Sequence, residues 1–276
     1  MGYNTKIDWC DTTWNPVTGC LHGCEYCYAR GIATRFGGYN IDPVGDSVTV
    51  YDACAEELIF EVENPVSKVD DKGRVRVAPY PFGFDPTFHR YRLDQPTKWS
   101  EPRTIFVCSM ADLFGEWVPD EWIEEVFNAC RAAPQHRYLF LTKKPDRYFS
   151  LHANKKLPKE KNFYYGITMD TKQNAQEHLV SLMSTSKNIG FNYANVFASV
   201  EPILEDFGPV VSAILAAHIP WIIVGAETGK RKGIVRPERE WVMRLSEESD
   251  QFGTAIFMKE SLREIMGDDF KQEFPW

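Results

Sequence analysis

The sequence lacks a hydrophobic run long enough to form a membrane-spanning helix. The longest apolar stretch, residues 216–224, is interrupted by His218 and Pro220, whereas a spanning helix needs about 20 apolar residues. The first residues, from Met1 to Lys6, also lack the apolar core of a secretion signal. These absences lead us to expect a cytoplasmic protein without a membrane partner.

An excess of positive charge is also missing. The 276 residues include 31 Lys and Arg against 39 Asp and Glu, which gives a formal net charge of −8. This balance argues against a protein that coats nucleic acid through its overall charge. The basic side chains are nevertheless concentrated in two segments, residues 143–161 and residues 230–239. Each segment is either a local basic face or ordinary surface charge.

The even number of cysteines expected of a disulfide framework is absent. The chain has seven cysteines, and without an export signal they indicate metal binding or catalysis more than disulfides. Three of them lie within eight residues, at Cys20, Cys24 and Cys27. Cys108 lies in an apolar run and Cys130 on an apolar helix face, so we predict that both are core residues.

Apolar runs typical of buried strands alternate with amphipathic segments typical of helices. The predicted strands are residues 104–108, 137–141, 163–167, 195–200, 221–224 and 254–258, and the predicted helices are residues 120–133, 145–152, 171–185, 209–217 and 237–252. Strands that are apolar nearly throughout are typical of a parallel sheet covered on both faces. With a strand before Cys20 and a helix after Cys27, the alternation gives six to seven β/α units. We therefore predict an α/β fold, a partial TIM-type (β/α)6 barrel of parallel strands.

The alternative fold is an open doubly wound sheet, but no glycine-rich dinucleotide turn follows the first strand. We predict a single domain over residues 1–276. Residues 38–101 break the alternation, and we predict an insertion of hairpins and loops that acts as a lid. Residues 237–276 are predicted to form a C-terminal β/α segment that closes the barrel.

The three clustered cysteines have the spacing C-x3-C-x2-C. Three thiolates on one loop can hold three corners of a [4Fe–4S] cluster, and because such a cluster normally takes four cysteines, its fourth iron stays open for chemistry. A structural zinc site normally needs four ligands, usually as two separated pairs, so His22 or Cys10 would have to complete it. Incidental core cysteines are the third alternative. The spacing favours the cluster.

With an aromatic residue before its third cysteine, this segment resembles the signature of the radical S-adenosylmethionine superfamily. Further segments resemble a phage-associated branch of that superfamily, whose members carry a domain of unknown function. These segments are Trp14–Cys20, Phe84–His89, Ile105–Phe114, Phe140–Pro145, Ser199–Pro202 and Val224–Gly229. They cover most of the chain.

The resemblance implies two cofactors. Cys20, Cys24 and Cys27 would bind a [4Fe–4S] cluster, and the amino and carboxylate groups of S-adenosylmethionine would chelate its open iron. Tyr26 would pack near the adenine. The superfamily often has a Gly-Gly-Glu-like segment after the second strand, whose backbone meets the methionine amine; the residues at that place here are Ser109, Met110, Ala111 and Asp112.

The resemblance also implies an activity. A flavodoxin- or ferredoxin-type reductant would supply one electron, and S-adenosylmethionine would be cleaved to methionine and a 5′-deoxyadenosyl radical. That radical would abstract a hydrogen atom from the substrate, while the protein supplies position and electrostatics.

Polar side chains follow nearly every predicted strand, which is where the working residues of such barrels lie. We predict cofactor contacts for Thr168, Glu201, Gly225 and Glu227. Glu201 and Lys143 are predicted to act in catalysis, and for Glu201 the structural alternative is a salt bridge with a barrel lysine. For His89 in the insertion, the alternatives are a substrate contact or proton carrier and a loop histidine bonded to the backbone.

The phage association makes a modified nucleobase in DNA, such as a thymine with a side chain to rearrange, the leading hypothesis for the substrate. Two basic groups are predicted to flank the barrel mouth and indicate a phosphate-bearing substrate; they are Lys143, Lys144 and Arg147, and Lys230, Arg231, Lys232 and Arg236. The alternatives are a small-molecule or peptide substrate and, in another class, a non-catalytic iron–sulfur or zinc-binding partner protein.

Overall fold

The structure is a computed structural model that describes residues 5–37, 48–52, 58–69, 72–189, 195–229 and 231–276. Parts of the predicted lid, together with Cys54 and Lys230, lie outside the described residues. The strands are β1 (Thr12–Trp14), β2 (Val17–Thr18), β3 (Val48–Asp52), β4 (Leu58–Val62), β5 (Ser67–Val69), β6 (Val75–Val77), β7 (Thr87–His89), β8 (Thr104–Val107), β9 (Arg137–Thr142), β10 (Phe163–Thr168), β11 (Val196–Val200), β12 (Trp221–Val224) and β13 (Ala255–Met258). The helices are α1 (Tyr28–Phe36), α2 (Asp120–Arg131), α3 (Pro145–Ala153), α4 (Lys172–Ile189), α5 (Val210–Ala216), α6 (Arg239–Phe252) and α7 (Arg263–Met266).

Seven parallel strands form the main sheet, in the order β1-β8-β9-β10-β11-β12-β13. A helix, α1 to α6, follows each of the first six strands in turn. This arrangement confirms the predicted α/β fold of the partial TIM-barrel type, with six β/α units and a seventh strand. All residues of β11 and β12 are buried, as expected for strands covered on both faces.

The predicted insertion contains strands in its described part. β2, β7, β4 and β3 form a four-stranded sheet in that order, and β5 and β6 form a hairpin. The sequence before Cys20 therefore divides between two sheets, because β1 pairs with β8 whereas β2 pairs with β7. The lid function of this insertion stays a prediction.

The chain divides into two compact units. Unit 1 comprises Met1–Asp11 and Leu139–Trp276, and unit 2 comprises Thr12–Tyr138. In unit 2, α2 buries one face that includes Trp122, Phe127 and Cys130, so Cys130 is a core residue, and Cys108 is buried as well. Within the described residues, no helix is long and apolar enough to cross a membrane.

The aromatic side chains of Trp9, Phe197 and Trp221 pack together in unit 1 and form what we call the aromatic layer. The ring centroids of Phe197 and Trp221 are 5.4 Å apart, and Trp9 lies 6.3 Å from each of them. Gly166 pairs in register with Phe197, and a Cβ on Gly166 would lie 2.2 Å from the Phe197 ring. The missing side chain therefore makes room for this ring, and the aromatic layer underlies the polar residues that follow the strands.

Candidate functional site

In unit 2, the cysteine loop runs from Gly19 to the start of α1. Cys27 is the N-cap residue of α1, and its Sγ accepts a hydrogen bond of 3.4 Å from the backbone N–H of Arg30. The backbone N–H of Cys27 donates to Cys24 O at 3.2 Å, and that of Cys20 donates to Phe84 O at 3.1 Å. Cys27 therefore stands at the N-terminal end of α1, where a helix carries partial positive charge.

Within the described residues none of these three cysteines forms a disulfide, and all three are half-buried. The pKa of the Cys20 thiol is raised to about 12, mainly by burial. The charges of Asp112, Cys24 and Cys27 contribute to this rise, and a backbone hydrogen bond from His22 opposes it. Thiolates gathered in this way repel one another unless a cation neutralises them. A metal centre supplies that positive charge, since a coordinating thiol is deprotonated outright.

The donor set fits an iron–sulfur cluster better than a single ion. One zinc ion requires its sulfur ligands to converge at about 2.3 Å from one point, whereas in a cubane cluster each thiolate binds a different iron. In the described part of the chain, no three His, Cys, Asp or Glu side chains are close enough together to hold one metal ion. Cys20, Cys24 and Cys27 would each bind a different iron of such a cluster.

The segment after β8 is tied to the cysteine loop by backbone and side-chain contacts. Asn15 Oδ1 accepts hydrogen bonds from Met110 N at 2.9 Å and from Ser109 Oγ at 3.2 Å. Tyr28 Oη donates to Ser109 O at 2.7 Å, and Gly19 N donates to Met110 O at 2.9 Å. The carbonyls of Ser109 and Met110 thus each have a partner within unit 2, which leaves their second lone pairs for a ligand.

Asp112 forms a buried pair with His22. His22 Nε2 lies 2.7 Å from Asp112 Oδ2, and Asp112 Oδ1 accepts from Phe114 N at 3.0 Å. The His22 ring also packs edge-on against Trp117, with 4.9 Å between centroids. The pair fixes the part of the loop between Cys20 and Cys24.

Sequence reasoning missed Asn15 and Tyr28 as members of this site, and it named His22 only as a possible zinc ligand. Asn15 lies in a motif segment, and His22 and Tyr28 stand beside the cysteines, so nearness to the motif was the available signal. Tyr26 is half-buried in the turn before Cys27, and its adenine contact stays a prediction.

His89 is fully buried in β7. Its Nε2 lies 2.9 Å from Thr18 Oγ1. Burial lowers the pKa of His89 well below its usual value, and the charge of Arg92 lowers it further. A neutral imidazole enclosed in this way favours a structural role, and the catalytic role predicted for His89 stays a prediction.

In unit 1, four residues follow adjacent strands at the same level and form what we call the strand-end row: Asp170, Glu201, Gly225 and Lys259. The strand register places them there, because Thr168 pairs with Ser199, Val200 with Val224, and Val224 with Met258. Neighbouring strands lie about 4.8 Å apart. The row therefore brings together two of the predicted site residues, Glu201 and Gly225, and adds Asp170 and Lys259.

Two ion pairs span this row. Lys143 Nζ lies 2.5 Å from Asp170 Oδ2, and Lys259 Nζ bonds to Glu201 Oε1. The structural alternative for Glu201, a salt bridge with a barrel lysine, is thus present, while its catalytic role and that of Lys143 stay predictions. Thr168 is buried at the end of β10, beneath the row.

Glu227 organises the loop that follows β12. Its carboxylate accepts hydrogen bonds from Arg231 Nε at 2.7 Å, Arg231 Nη2 at 2.8 Å and Val235 N at 3.2 Å. The hydrogen bonds from Arg231 lower the pKa of Glu227. Arg231 is therefore engaged by the protein, and Lys232 and Arg236 are the exposed basic residues described in this segment. The predicted cofactor contact of Glu227 stays a prediction.

Comparison with known proteins identifies a family and a fold. The model of a family described as "Protein of unknown function (DUF5131)" matches residues 4–265. The curated proteins contain no match. Spore photoproduct lyase complexed with dinucleoside spore photoproduct matches with a TM-score of 0.54 at 10% identity, over 91% of this chain and 78% of that chain. A double mutant of that lyase with bound AdoMet and dinucleoside spore photoproduct matches with a TM-score of 0.53, at the same identity and coverage. At this identity, the likeness shows a shared fold.

Proposed function

We propose that this chain, which belongs to the DUF5131 family, is a radical S-adenosylmethionine enzyme that acts on a nucleobase in DNA, with thymine as the leading candidate. The observation that carries the proposal is the cysteine loop: three half-buried cysteines, none in a disulfide within the described residues, lie between a strand and a helix, in a fold shared with a lyase that binds AdoMet. The DNA-base substrate is supported by the dinucleoside lesion bound to that lyase and by the sequence resemblance to a phage-associated branch.

The residues of unit 2 would hold the cofactors. Cys20, Cys24 and Cys27 would bind a [4Fe–4S] cluster, which, when reduced by a flavodoxin- or ferredoxin-type protein, supplies the electron that cleaves S-adenosylmethionine to a hydrogen-abstracting radical. The backbone at Ser109 and Met110 would receive the methionine group of the cofactor. The pair of Asp112 with His22 would keep the loop in position.

The residues of unit 1 would orient the ligands. Glu201 and Lys143 would fix the substrate through their charged groups, with Thr168 and Gly225 beside them. Enzymes that act on a base take it out of the stack or use single-stranded DNA. Residues at strand ends are suited to hold it, because the strands are rigid and buried.

Anaerobic reconstitution tests the proposal directly. The reconstituted protein should bind about four iron per chain and, once reduced, should convert S-adenosylmethionine to 5′-deoxyadenosine. Tight zinc binding without iron would instead indicate the zinc-binding alternative. A cluster that never cleaves the sulfonium would indicate a non-catalytic iron–sulfur protein.

Replacing Glu201 by Gln should lower turnover about ten-fold or more, because a charge-assisted hydrogen bond to a ligand is weakened. The fold and iron content should stay unchanged, as measured by circular dichroism and iron analysis. The Glu260→Gln variant is a suitable control, since Glu260 forms an exposed pair with Arg263. Unchanged turnover in Glu201→Gln would assign Glu201 to structure.

Changing Lys232 and Arg236 together to Glu should weaken binding to single-stranded DNA. Each phosphate contact releases counterions, so the slope of log affinity against log salt should become shallower by about 2. Fluorescence anisotropy over a salt series measures this slope. Lys155 and Lys159, exposed residues beyond α3, provide the matched double substitution and should have little effect. DNA binding that is absent, or insensitive to salt, would favour a small-molecule substrate.

A further inference from the structure

The Lys259 ammonium and the Glu201 carboxylate form an ion pair and have further donors and acceptors that no described residue uses. Lys259 Nζ bonds to Glu201 Oε1, and neither side chain has another hydrogen-bond partner in the described part of the chain. An ammonium group has three donors and a carboxylate has about four acceptor sites. The side chains of Lys259 and Glu201 are 18% and 24% exposed, so donors and acceptors stand side by side in a largely desolvated place.

The charged side chains of the strand-end row, together with that of Lys143, favour a neutral ligand over an anion. Lys143 and Lys259 are each paired with a carboxylate of the row, Asp170 and Glu201, so the four charges sum to zero. A phosphate approaching either lysine would also meet a carboxylate, and like charges that are close together repel. A neutral group with a donor beside an acceptor would satisfy the pair without this repulsion.

A buried hydroxyl lies beneath the pair. Ser199 is on the same face of β11 as Glu201, because side chains alternate along a strand. It is 1% exposed, and its Oγ has no hydrogen-bond partner among the residues that the structure describes. Buried polar atoms are rarely left unsatisfied, so this hydroxyl is a second indication that a polar ligand or water occupies the space above it. Below Ser199, Phe197 and Trp221 provide the apolar floor.

Gly225 allows the pair to form. A Cβ at this position would lie 2.8 Å from Lys259 Cδ and 3.2 Å from Glu201 Cγ. The side chains of the residues that follow β11 and β13 thus meet across the residue that follows β12, which has no side chain of its own. The two charged groups are held together at the end of the sheet by this arrangement.

We propose that the Glu201–Lys259 pair binds the lactam edge of a pyrimidine base, with Glu201 accepting from the ring N–H and Lys259 donating to the adjacent carbonyl. The inference rests on the proposed function, in which the base is thymine and the edge is N3–H beside a carbonyl. Paired contacts to a base edge are a source of specificity, whereas phosphate contacts mainly position the strand.

A binding experiment with the cluster-loaded protein tests the inference. The probes are three fluorescent trinucleotides with thymine, N3-methylthymine or an abasic site at the centre, measured by anisotropy under anaerobic conditions. The methyl group removes the N–H donor and leaves the phosphates unchanged. The wild-type protein should bind the thymine probe about ten-fold or more tightly than either of the others.

Two variants test whether the preference for the thymine probe depends on Glu201 and Lys259. The double substitution Glu201→Met with Lys259→Met removes both charges and both hydrogen-bonding groups together, so no unpaired buried charge remains, and the preference should fall to within about two-fold. The Glu260→Gln control should keep the wild-type preference. Because the comparison of probes on the wild-type protein needs no variant, the test stands even if the double variant unfolds.

The outcomes separate this inference from the proposed function. Equal binding of the thymine and N3-methylthymine probes overturns the inference. A preference that survives in the double variant also overturns it. Absence of 5′-deoxyadenosine after reduction of the wild-type protein overturns the proposed function instead, since base preference is measured by binding alone.

Discussion

Replacing Cys20, Cys24 or Cys27 by Ala should remove both the iron content and the cleavage of S-adenosylmethionine. Each thiolate is expected to bind a different iron, and three protein ligands leave no spare one on the loop. The loss of a single ligand therefore leaves two cysteines, which cannot hold the cluster. Iron analysis, the visible charge-transfer absorption and 5′-deoxyadenosine formation measure the effect.

Cys130→Ala is the matched control for these variants. Cys130 is fully buried in α2 and forms no disulfide within the described residues, so its replacement tests whether loss of any thiol disturbs the cluster. The cluster and the cleavage activity should both be retained, with a small loss of stability from the smaller side chain. A variant of the three motif cysteines that keeps full iron content would contradict the proposed ligand set.

The main sheet could be predicted from the sequence because its strands are apolar on both faces. Runs such as residues 221–224 have a single structural explanation when helical segments alternate with them. The division between β1 and β2 could not be predicted, since each is only two or three residues long. Their partners β8 and β7 lie more than 65 residues away along the chain, and local pattern carries no information about such pairing.

The candidate site could be predicted from the sequence only where a residue type by itself indicates the chemistry that it carries out. Three cysteines at a characteristic spacing indicate their own function, and carboxylates after buried strands indicate strand ends. The contact of Glu201 with Lys259 depends instead on the register of β11, β12 and β13, and this register cannot be derived from the sequence. The pairing of His22 with Asp112 likewise joins residues 90 positions apart.

Gly19 is the residue on which the position of Cys20 depends most directly. Its φ is +87°, a left-handed conformation that costs other residues about 1–2 kcal/mol. A Cβ at Gly19 would also lie 2.3 Å from Asp85 O and 2.7 Å from Phe84 O. These are backbone atoms, so the contact cannot be relieved by turning a side chain, and Phe84 O is also the acceptor for Cys20 N.

Gly19→Ala should therefore destabilise the protein by about 3 kcal/mol or more, as the sum of backbone strain and overpacking. Gly23→Ala separates these two causes, because Gly23 also has a positive φ of +70° but nothing lies within 4 Å of its added Cβ. It should cost only about 1–2 kcal/mol and retain the cluster. Denaturant unfolding and iron content measure both variants. The methyl group added by Gly19→Ala displaces the backbone that positions Cys20. The iron content of Gly19→Ala should therefore fall far below that of Gly23→Ala. Equal effects of the two substitutions would show that the close approach to Asp85 does not determine the geometry of the loop.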